Sequence, residues 1–368
     1  MNVFISNSTG IYAGGENYVL ILAKHLRQRG HHVWVSANPD HLLLSKCAQA
    51  GIPTIPISYT GMSRVFSVAS EVRAHLRQLS IDIIHSNANY DRTVAAIAAA
   101  WSGTRHVATV HSAHSIQHNI THWLRNRLGI DRFVAVADAV KNVLVNEDRI
   151  SERKVAVVPI GVEEPARERH IEWRAKIRSQ LGIPPEVCLV GNVARLVPFK
   201  GHRYLLEAVA LVSARCKDVL FVVAGDGHLL ATLQDQATSL KIGEFIRFLG
   251  FRDDLHEVYP AFDIYCQSSL ELMAEAFPVA ILDAMAAGLP IVSTRVGGIG
   301  MMVEEGISGH LVPPEDPPAL AKALLHLIGD EQLRRSMGRA SYDLFAKNFR
   351  AQTMAERIEN VYLQVTRR

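Results

Sequence analysis

Short apolar segments rich in β-branched residues alternate with helical patterns along this chain, and the alternation restarts near its middle. The first series of predicted strands reads VFIS, HVWVSA, IDIIHS, HVATVH and RFVAVA. The second series reads VCLVGNVAR, VLFVVAGDG, IRFLGF, FDIYCQS and PIVSTRVGG. Strands that alternate with helices in this way form parallel sheets covered by helices on both faces. The sequence therefore predicts an α/β fold with two doubly wound domains.

The boundary between the domains is predicted in a charged, broken stretch that reads GVEEPARERHIEWRAKIRSQLGIPPE. A chain of 368 residues is also too long for one ordinary core. We expect domains at residues 1–165 and 166–349, with a helix over about residues 350–368 packing back on the first domain. Ligands of doubly wound sheets bind beyond the carboxyl ends of the strands, so a cleft faced by both domains is the expected site.

Composition excludes several classes of protein. Hydrophobic residues make up 48% of the chain and charged residues 20%, as in a globular protein. The four cysteines form no CxxC pair, which argues against a disulfide framework or a zinc site. No signal-peptide pattern and no apolar run of membrane-spanning length is present, so we expect a cytoplasmic protein. Its first half is mildly basic, which would suit an anionic partner or membrane, although ordinary surface variation explains it equally well. No feature indicates nucleic-acid binding.

A glycine pair follows the first predicted strand, in the segment GIYAGGEN. Gly14 and Gly15 permit close approach of the backbone to a ligand, and the helix that follows offers free N–H groups to an anion. The segment is not GxGxxG, so it specifies no dinucleotide. A plain tight turn is an equally good explanation of this segment by itself.

Three further loops follow strands of the second series. In GNVARLVPFKG, Arg195 and Lys200 are five residues apart and would converge on one phosphate group, unless the loop is merely solvated surface. In AGDGH and LGFRDD, the backbone at Gly225 and Phe251 would hold a nucleobase. Neither of these two loops is diagnostic by itself.

The segment EAFPVAILDAMAAGLP carries two acids in an alanine-rich run. Pro278 suits the first position of a helix and Gly288 the position after its end, which predicts a helix over about 278–287. Glu275 precedes this helix, and Asp283 lies about 7.5 Å along its axis from Pro278. A diphosphate at the helix start would lie between the two acids. The alternatives are a helix cap for Glu275 and a solvated helix face for Asp283.

These motifs together resemble the retaining glycosyltransferases of family 4, which are two-domain GT-B enzymes. The segments ARLVPFKG, VVAGDGHL and EAFPVAILDAMAAGLPIVSTRVGG, in this order, resemble the family's second half. AGGENYVLILAKHLRQRGHHVWV resembles its opening, VVPIGVE its interdomain junction and GHLVPPEDPPALAKAL the region after its active site. The resemblance covers nearly the whole chain and is specific only in combination.

The resemblance implies roles for four charged residues. Arg195 and Lys200 would bind the diphosphate of the donor. Glu275 would be the first acid of the family's E-x7-E motif, placed at the transferred sugar. Asp283 would be the second acid, holding the ribose of the nucleotide.

Six further residues would meet the donor under the same resemblance. They are Phe277, Pro278 and Val279 through their backbone, Gly14 and Gly15 beside the diphosphate, and His111 of TVHSAH near the sugar. A lone histidine such as His111 is otherwise explained by a satisfied structural role.

The sequence departs from the family at three places. Asp283 is one methylene shorter than the usual Glu, so its contact with ribose would be looser or relayed by water. Met301, in GGIGMM, stands where many relatives carry a Glu. The stretch SSLELMAE before Glu275 is a few residues longer than is common, and its Glu271 is a rival acid that lacks the following AFP.

The resemblance implies retaining, metal-independent transfer of a sugar from a nucleotide-diphosphate donor, with UDP or GDP favoured, to an acceptor hydroxyl. No cofactor is expected. The acceptor would be a glycan or a lipid-linked sugar, in bacterial synthesis of lipopolysaccharide, exopolysaccharide or glycolipid. The alternatives are a GT-B sugar-nucleotide epimerase and a nucleotide-sugar-binding protein with weakened catalysis.

One candidate helix bears on membrane contact. Residues His118–Gly129 place apolar and basic side chains on opposite sides, namely Ile120, Trp123, Leu124 and Leu128 against Arg125 and Arg127. The helix would rest on an anionic membrane at the inner face of the cytoplasmic membrane. The alternative, a helix whose apolar side packs into the core, is favoured about two to one.

Overall fold

The structure is a computed structural model that describes residues 1–10, 12, 14–117, 119–271 and 275–367. The chain divides into two compact units. The first unit contains Met1–Glu163 and the chain from Phe349 onward, and the second contains Glu164–Asn348. The first unit is therefore discontinuous in sequence.

In the described part of the first unit, seven parallel strands form one sheet in the order β3-β2-β1-β4-β5-β6-β7. The strands are β1 (Asn2–Ser6), β2 (His32–Ala37), β3 (Thr54–Pro56), β4 (Ile83–Ser86), β5 (Arg105–Val110), β6 (Arg132–Ala135) and β7 (Val155–Val157). The helices are α1 (Gly14–Gln28), α2 (Leu42–Gln49), α3 (Val65–Gln78), α4 (Asn89–Ser102), α5 (Ile120–Leu128) and α6 (Asp138–Asn142).

The second unit has a parallel sheet of six strands among its described residues, in the order β10-β9-β8-β11-β12-β13. The strands are β8 (Cys188–Val193), β9 (Val219–Ala224), β10 (Ile246–Gly250), β11 (Ile264–Gln267), β12 (Ile291–Thr294) and β13 (Gly309–Val312). The helices are α7 (His170–Gln180), α8 (His202–Ser213), α9 (Leu230–Ser239), α10 (Leu255–Val258), α11 (Val279–Ala286), α12 (Pro317–Ile328) and α13 (Glu331–Asn348).

The central strands of both sheets are buried along their whole length, as strands covered on both faces must be. Every residue of β4, β8 and β9 is buried. The prediction of two doubly wound α/β domains is confirmed. In the second unit, β8, β11 and β12 are neighbours, so the loops after their carboxyl ends lie side by side.

The last helix, α14 (Ala351–Thr366), packs on the first unit. Val162 and Phe349 bring the chain back through a backbone hydrogen bond of 3.0 Å. The Tyr362 hydroxyl lies 2.5 Å from Nδ1 of His85, a residue of β4. Tyr362 is fully buried, so α14 supplies part of the core of the first unit.

The favoured prediction for the helix near residue 120, that its apolar side packs into the core, is wrong. Ile120, Leu124 and Leu128 of α5 are exposed, whereas Arg125 is buried. Arg125 is therefore not part of a basic outer side; only Arg127 is exposed in that way. The reason is that Arg125 hydrogen-bonds inward, to Thr93 among others, which turns the apolar side of α5 outward. His118, which begins the predicted segment, lies outside the described residues.

Candidate active site

The loop after β8 is fixed against the loop after β11 by close backbone packing. Gly201 has φ +66°, and a Cβ atom there would lie 1.9 Å from the carbonyl oxygen of Ser268. The Ser268 hydroxyl donates to the Lys200 carbonyl at 3.0 Å, and the Leu270 N–H donates to the Phe199 carbonyl at 2.8 Å. The backbone at Phe199, Lys200 and Gly201 is therefore held against the loop after β11.

Lys200 and Glu275 form a largely buried ion pair. The Lys200 Nζ and Glu275 Oε2 atoms are 2.5 Å apart, and each side chain is 13% exposed. The Ser269 hydroxyl donates to the same carboxylate oxygen at 2.8 Å. A buried pair of charges is stable only with such additional hydrogen bonds. The structure thus brings together two residues that are 75 positions apart in sequence.

A short chain of hydrogen bonds supports Glu275 from β11. The Tyr265 hydroxyl donates to Oε1 of Gln267 at 2.9 Å, and Nε2 of Gln267 lies 3.0 Å from the Ser269 hydroxyl oxygen. All three side chains are buried. These residues belong to no motif singled out in the sequence, although polar residues directly after an apolar strand, in IYCQSS, are a signal that points to a site.

The backbone of Glu275 is held by the loop after β12. The Gly298 N–H donates to the Glu275 carbonyl at 3.1 Å, and a Cβ atom at Gly297 would lie 1.9 Å from that oxygen. Glu271 differs, because its side chain is exposed. Residues 272–274, part of the stretch predicted to be long, lie outside the described residues.

Arg195 is exposed beside this ion pair. Its Cζ atom lies 5.8 Å from the centre of the Phe199 ring, and Nζ of Lys200 lies 5.6 Å from the same centre. No carboxylate within the described ranges pairs with Arg195. The two cations predicted to share a phosphate therefore both lie near one aromatic ring, and Arg195 is available to an anion.

Helix α11 begins at Val279, with Pro278 as the residue that caps it. The predicted start at Pro278 is thus one residue early, because Pro278 has ψ 110°, outside the helical range. Among the described residues, no side-chain hydrogen bond caps this helix start. The first N–H groups of a helix carry partial positive charge, so this end of α11 favours an anion. Phe277 and Pro278 are buried beside it.

Asp283 lies on α11, half-buried, with part of its surface open to solvent. Burial raises the pKa of its carboxyl group to about 7. Its carboxylate has no hydrogen-bond or ion-pair partner in the described part of the chain. The nearby Tyr259 hydroxyl is buried and also lacks a hydrogen-bond partner there. A buried hydroxyl without a partner, next to a carboxylate that no protein group pairs with, marks a place where a polar ligand group would be stabilised.

Gly225 and Phe251 come together at the ends of β9 and β10. The Gly225 N–H donates to the Gly250 carbonyl at 2.8 Å, and the Phe251 side chain is 77% exposed. A Cβ atom at Gly225 would lie 2.0 Å from the Ala194 carbonyl, so this loop also abuts the one that carries Arg195. Met301 is half-buried at the end of a 3₁₀ turn, Ile299–Met301.

The other predicted residues belong to the first unit. Gly14 and Gly15 begin α1, and Gly14 is exposed. The His111 ring contacts the ring of Tyr18, also on α1, edge to face at 4.8 Å. Both His111 ring nitrogens are buried and unpaired within the described residues. Burial first, and then the Arg92 charge, lowers the pKa of His111 to about 4, so its ring is neutral at pH 7. The alternative explanation of His111, a structural histidine whose ring nitrogens are hydrogen-bonded, does not fit these unpaired nitrogens.

Two general features are absent from the described ranges. No helix there is long and apolar enough to cross a membrane. No group of three or more His, Cys, Asp or Glu side chains suited to a metal ion occurs in the same residues.

Two family models match the two halves of the chain. The model of glycosyltransferase family 4 matches residues 12–164, and that of glycosyl transferases group 1 matches residues 174–344. D-inositol 3-phosphate glycosyltransferase from Corynebacterium urealyticum is 30% identical over 365 residues, covering 88% of this chain and 85% of the relative. An Escherichia coli relative, UDP-Gal:alpha-D-GlcNAc-diphosphoundecaprenol alpha-1,3-galactosyltransferase, is 24% identical over 79% of this chain and 77% of its own length.

Solved structures share the fold over nearly the whole chain. A glycosyltransferase from Rickettsia africae has a TM-score of 0.88 at 20% identity, covering 99% of this chain and 98% of its own. The Anabaena protein HepE in complex with UDP-glucose has a TM-score of 0.83 at 24% identity, covering 99% and 100%. The two parallel-sheet units and these matches define a glycosyltransferase of the GT-B fold. The chain belongs to glycosyltransferase family 4.

Proposed function

We propose that this glycosyltransferase moves a sugar from a nucleoside-diphosphate donor to an acceptor hydroxyl with retention of the anomeric configuration and without a metal ion. The observation that carries the proposal is the buried Lys200–Glu275 pair, which lies beside an available cation, Arg195. A sugar that becomes cation-like and a diphosphate that leaves as an anion need an acid and cations in one place.

The main task of this site is to stabilise the negative charge of the leaving diphosphate. Arg195, Lys200 and the uncapped start of α11 are three sources of positive potential that do not require a metal ion. Glu275 would orient the sugar and stabilise its developing positive charge. No protein nucleophile is assigned, because in a front-face reaction the leaving phosphate would help to remove the proton of the acceptor.

The remaining donor contacts follow the family resemblance. Asp283 would hold the ribose, and the backbone at Gly225 and Phe251 would hold the base. Backbone groups of Phe277, Pro278 and Val279 would meet the donor. The roles of Gly14, Gly15 and His111 in the first unit stay predictions of the same resemblance.

For the donor nucleotide we propose UDP or GDP. HepE, which shares this fold, was solved with UDP and with UDP-glucose. For the acceptor we propose a glycan or a lipid-linked sugar of bacterial surface-polysaccharide or glycolipid synthesis. The name of the Escherichia coli relative specifies an acceptor linked to diphosphoundecaprenol, which supports a lipid-linked acceptor. Such an acceptor would be met at the inner face of the cytoplasmic membrane.

Product analysis with UDP-, GDP- and ADP-sugars tests the proposal. We expect one donor to release its nucleoside diphosphate, with the first-formed sugar product keeping the anomeric configuration of the donor when it is followed by NMR. Lys200→Ala should lower this rate by roughly 100-fold or more, as removal of a group that stabilises the transition state does. The matched control, Lys322→Ala on the exposed side of α12, should leave the rate unchanged.

Three results would contradict the proposal, each in a different way. An epimerised sugar nucleotide would identify an epimerase. Donor binding without turnover would identify a binding protein with weakened catalysis. An inverted anomer would exclude retention while leaving the glycosyltransferase activity intact.

A further inference from the structure

Helix α5 shows the reverse of the polarity that a surface helix normally has. Ile120 is 68% exposed, Leu124 is 44% exposed and Leu128 is 81% exposed. Residues spaced by four lie on one face of a helix, so these side chains form a continuous apolar stripe. We call them the α5 stripe. The buried residues of the same helix are Arg125 and Asn126, both polar.

Arg125 fixes this orientation. Its guanidinium donates to Oδ1 of Asn89 at 3.0 Å, to the Thr93 hydroxyl at 2.9 Å and to the Ile116 carbonyl at 3.1 Å. Asn119 caps the helix by accepting from the His122 N–H at 2.9 Å. Rotating α5 to bury its stripe would break the hydrogen bonds of Arg125. These bonds therefore keep the stripe facing outward. Exposure forgoes about 1.5–3 kcal/mol for each large apolar side chain, which indicates that something else covers the stripe.

A basic cavity adjoins the end of the stripe. It has a volume of about 390 Å³, and its lining includes Leu128 together with the cations Arg127, Arg149 and Lys154. No carboxylate lines it, and none within the described ranges pairs with these three cations. Acids close to these cations in sequence are engaged elsewhere: Glu152 pairs with Lys141, and Asp148 accepts from Ser115 and Ile116. Asp131 acts electrostatically on Lys154, but its carboxylate pairs with Arg105 at 3.1 Å. The cavity would therefore favour an anionic group.

We propose that the α5 stripe and the cations Arg127, Arg149 and Lys154 dock this protein on a membrane that contains anionic phospholipid. The apolar side chains would enter the boundary between headgroups and acyl chains, and the basic cavity would receive a lipid phosphate. Insertion of such a helix face reaches about 5–10 Å, and each nearby Lys or Arg adds about 1 kcal/mol on an anionic surface. Apolar insertion and anion binding at one end of a single helix match a lipid, which carries both chemistries in one molecule. The proposal concerns binding alone, so it does not depend on the proposed sugar transfer.

Co-sedimentation of the full chain with vesicles tests the proposal. The vesicles are neutral phosphatidylcholine, or phosphatidylcholine with about one third phosphatidylglycerol, at low and high salt. We expect binding to the anionic vesicles at low salt, at least tenfold weaker on the neutral ones. The double variants Ile120→Ser/Leu128→Ser and Arg127→Gln/Arg149→Gln should each bind the anionic vesicles at least tenfold more weakly. Lys154 is left in place because it donates to the carbonyls of Arg127 and Ile130.

Matched control variants distinguish binding through this surface from non-specific adsorption to vesicles. Ile171, on α7, is 83% exposed, and Arg215 is also exposed. We expect Ile171→Ser and Arg215→Gln to bind like the unmodified chain, and all variants to keep its thermal unfolding midpoint. The proposal is overturned by absence of binding at low salt, by equal binding to neutral vesicles, or by equal losses in the controls. It is also overturned if the stripe variant breaks up a dimer in vesicle-free solution, because the stripe would then be an interface between copies of this chain.

Discussion

The ion pair with Glu275 positions the Lys200 ammonium group in the candidate site before an anion binds. The two groups are mostly buried, so their attraction is screened less than on the surface. Ser269 also donates to Glu275, so the carboxylate stays satisfied when Lys200 turns toward a ligand. A bound diphosphate would share Lys200 with Glu275 and offer Arg195 the anionic partner that it lacks.

Asp283 is the residue through which pH should most directly change the stability of the fold and the affinity for nucleotide. Burial raises the pKa of its carboxyl from 3.8 to about 7. The protonated form is thus favoured in the folded state, and the stabilisation that it contributes is complete below about pH 4. This contribution is lost as pH rises through about 7, where the folded protein must accept a buried charge.

We predict that Asp283→Asn becomes more stable relative to the unmodified chain as pH rises from about 4 to 7. The free energy of unfolding, measured by urea denaturation across this range, checks the prediction. The same variant tests the ribose contact, because an ionised carboxylate is the better acceptor for ribose hydroxyls. Donor-nucleotide affinity of the unmodified chain should rise through about pH 7 relative to the variant. A constant difference in stability and in affinity would contradict both statements.

Gly201 follows Lys200 directly, so its backbone conformation sets the position of Lys200 in the loop after β8. Two features require glycine here: the positive φ angle and the close approach to the Ser268 carbonyl. Gly182 has a similar φ, +59°, but a Cβ atom there would have no neighbour within 4 Å. An alanine at Gly182 would therefore introduce backbone strain alone, whereas an alanine at Gly201 would introduce both backbone strain and steric overlap.

We predict that Gly201→Ala destabilises the chain more than Gly182→Ala. The strain at positive φ costs about 1–2 kcal/mol at either position. The overlap at Gly201 should add roughly 1–3 kcal/mol and lower nucleotide affinity, because the loop must move away from Ser268. Urea denaturation and nucleotide titration of the two variants measure both effects. Equal stability losses would show that the contact with Ser268 is unimportant.

Helix α5 shows why a sequence pattern can identify an element and still place it wrongly. The spacing of Ile120, Leu124 and Leu128 predicts the helix and its stripe correctly. The direction of the stripe depends on hydrogen bonds from Arg125 to Asn89 and Thr93, more than 30 positions earlier. No local pattern contains that information, so the core-packed alternative was favoured wrongly.

Strand prediction succeeded where the apolar run was long. The central strands of both sheets were predicted because continuous burial requires unbroken apolar residues. β3, β7 and β13 were not predicted. β3 and β7 have only three residues. Thr54 and Pro56 interrupt the apolar pattern of β3, and Gly309 and His310 interrupt that of β13. Their place at or near the sheet edges leaves their pattern weaker.

Within the candidate site, the charged residues stand in sequence motifs, whereas the residues that support them do not. Lys200 and Glu275 are in contact in the second unit, and Arg195 and Lys200 both lie near the Phe199 ring. Ser269 and Gln267 were missed because their importance depends on reaching the Glu275 carboxylate, which requires three-dimensional geometry. The roles of the predicted donor contacts stay predictions.

The return of the chain to its first unit has a consequence for the stability of the whole molecule. Helix α14 buries five large side chains against that unit, Met354, Ile358, Val361, Tyr362 and Val365. At about 1.5–3 kcal/mol each, their burial amounts to roughly 10 kcal/mol, within the range of the total stability of a typical domain. The first unit should therefore not fold stably without α14.

We predict different behaviour for three fragments. Residues 164–348 should unfold cooperatively when expressed alone, because they form one compact unit. Residues 1–163 alone should lack cooperative unfolding. Joining residue 163 to residue 349 by a short Gly-Ser linker should restore it, since the chain returns beside Val162. Thermal unfolding by circular dichroism compares the three, and equal cooperativity of residues 1–163 with and without α14 would contradict the prediction.

The central claim is that the loops after the strands of the second unit hold a nucleoside diphosphate through Lys200. Calorimetric titration of the unmodified chain, Lys200→Ala and Lys322→Ala with UDP, GDP, ADP and their monophosphates tests it most directly. We expect one diphosphate to bind at least tenfold more tightly than its monophosphate, a difference of about 1.4 kcal/mol. This advantage should disappear in Lys200→Ala and persist in Lys322→Ala. Equal affinity for the diphosphate and the monophosphate in the unmodified chain, or an advantage that survives in Lys200→Ala, would contradict the claim.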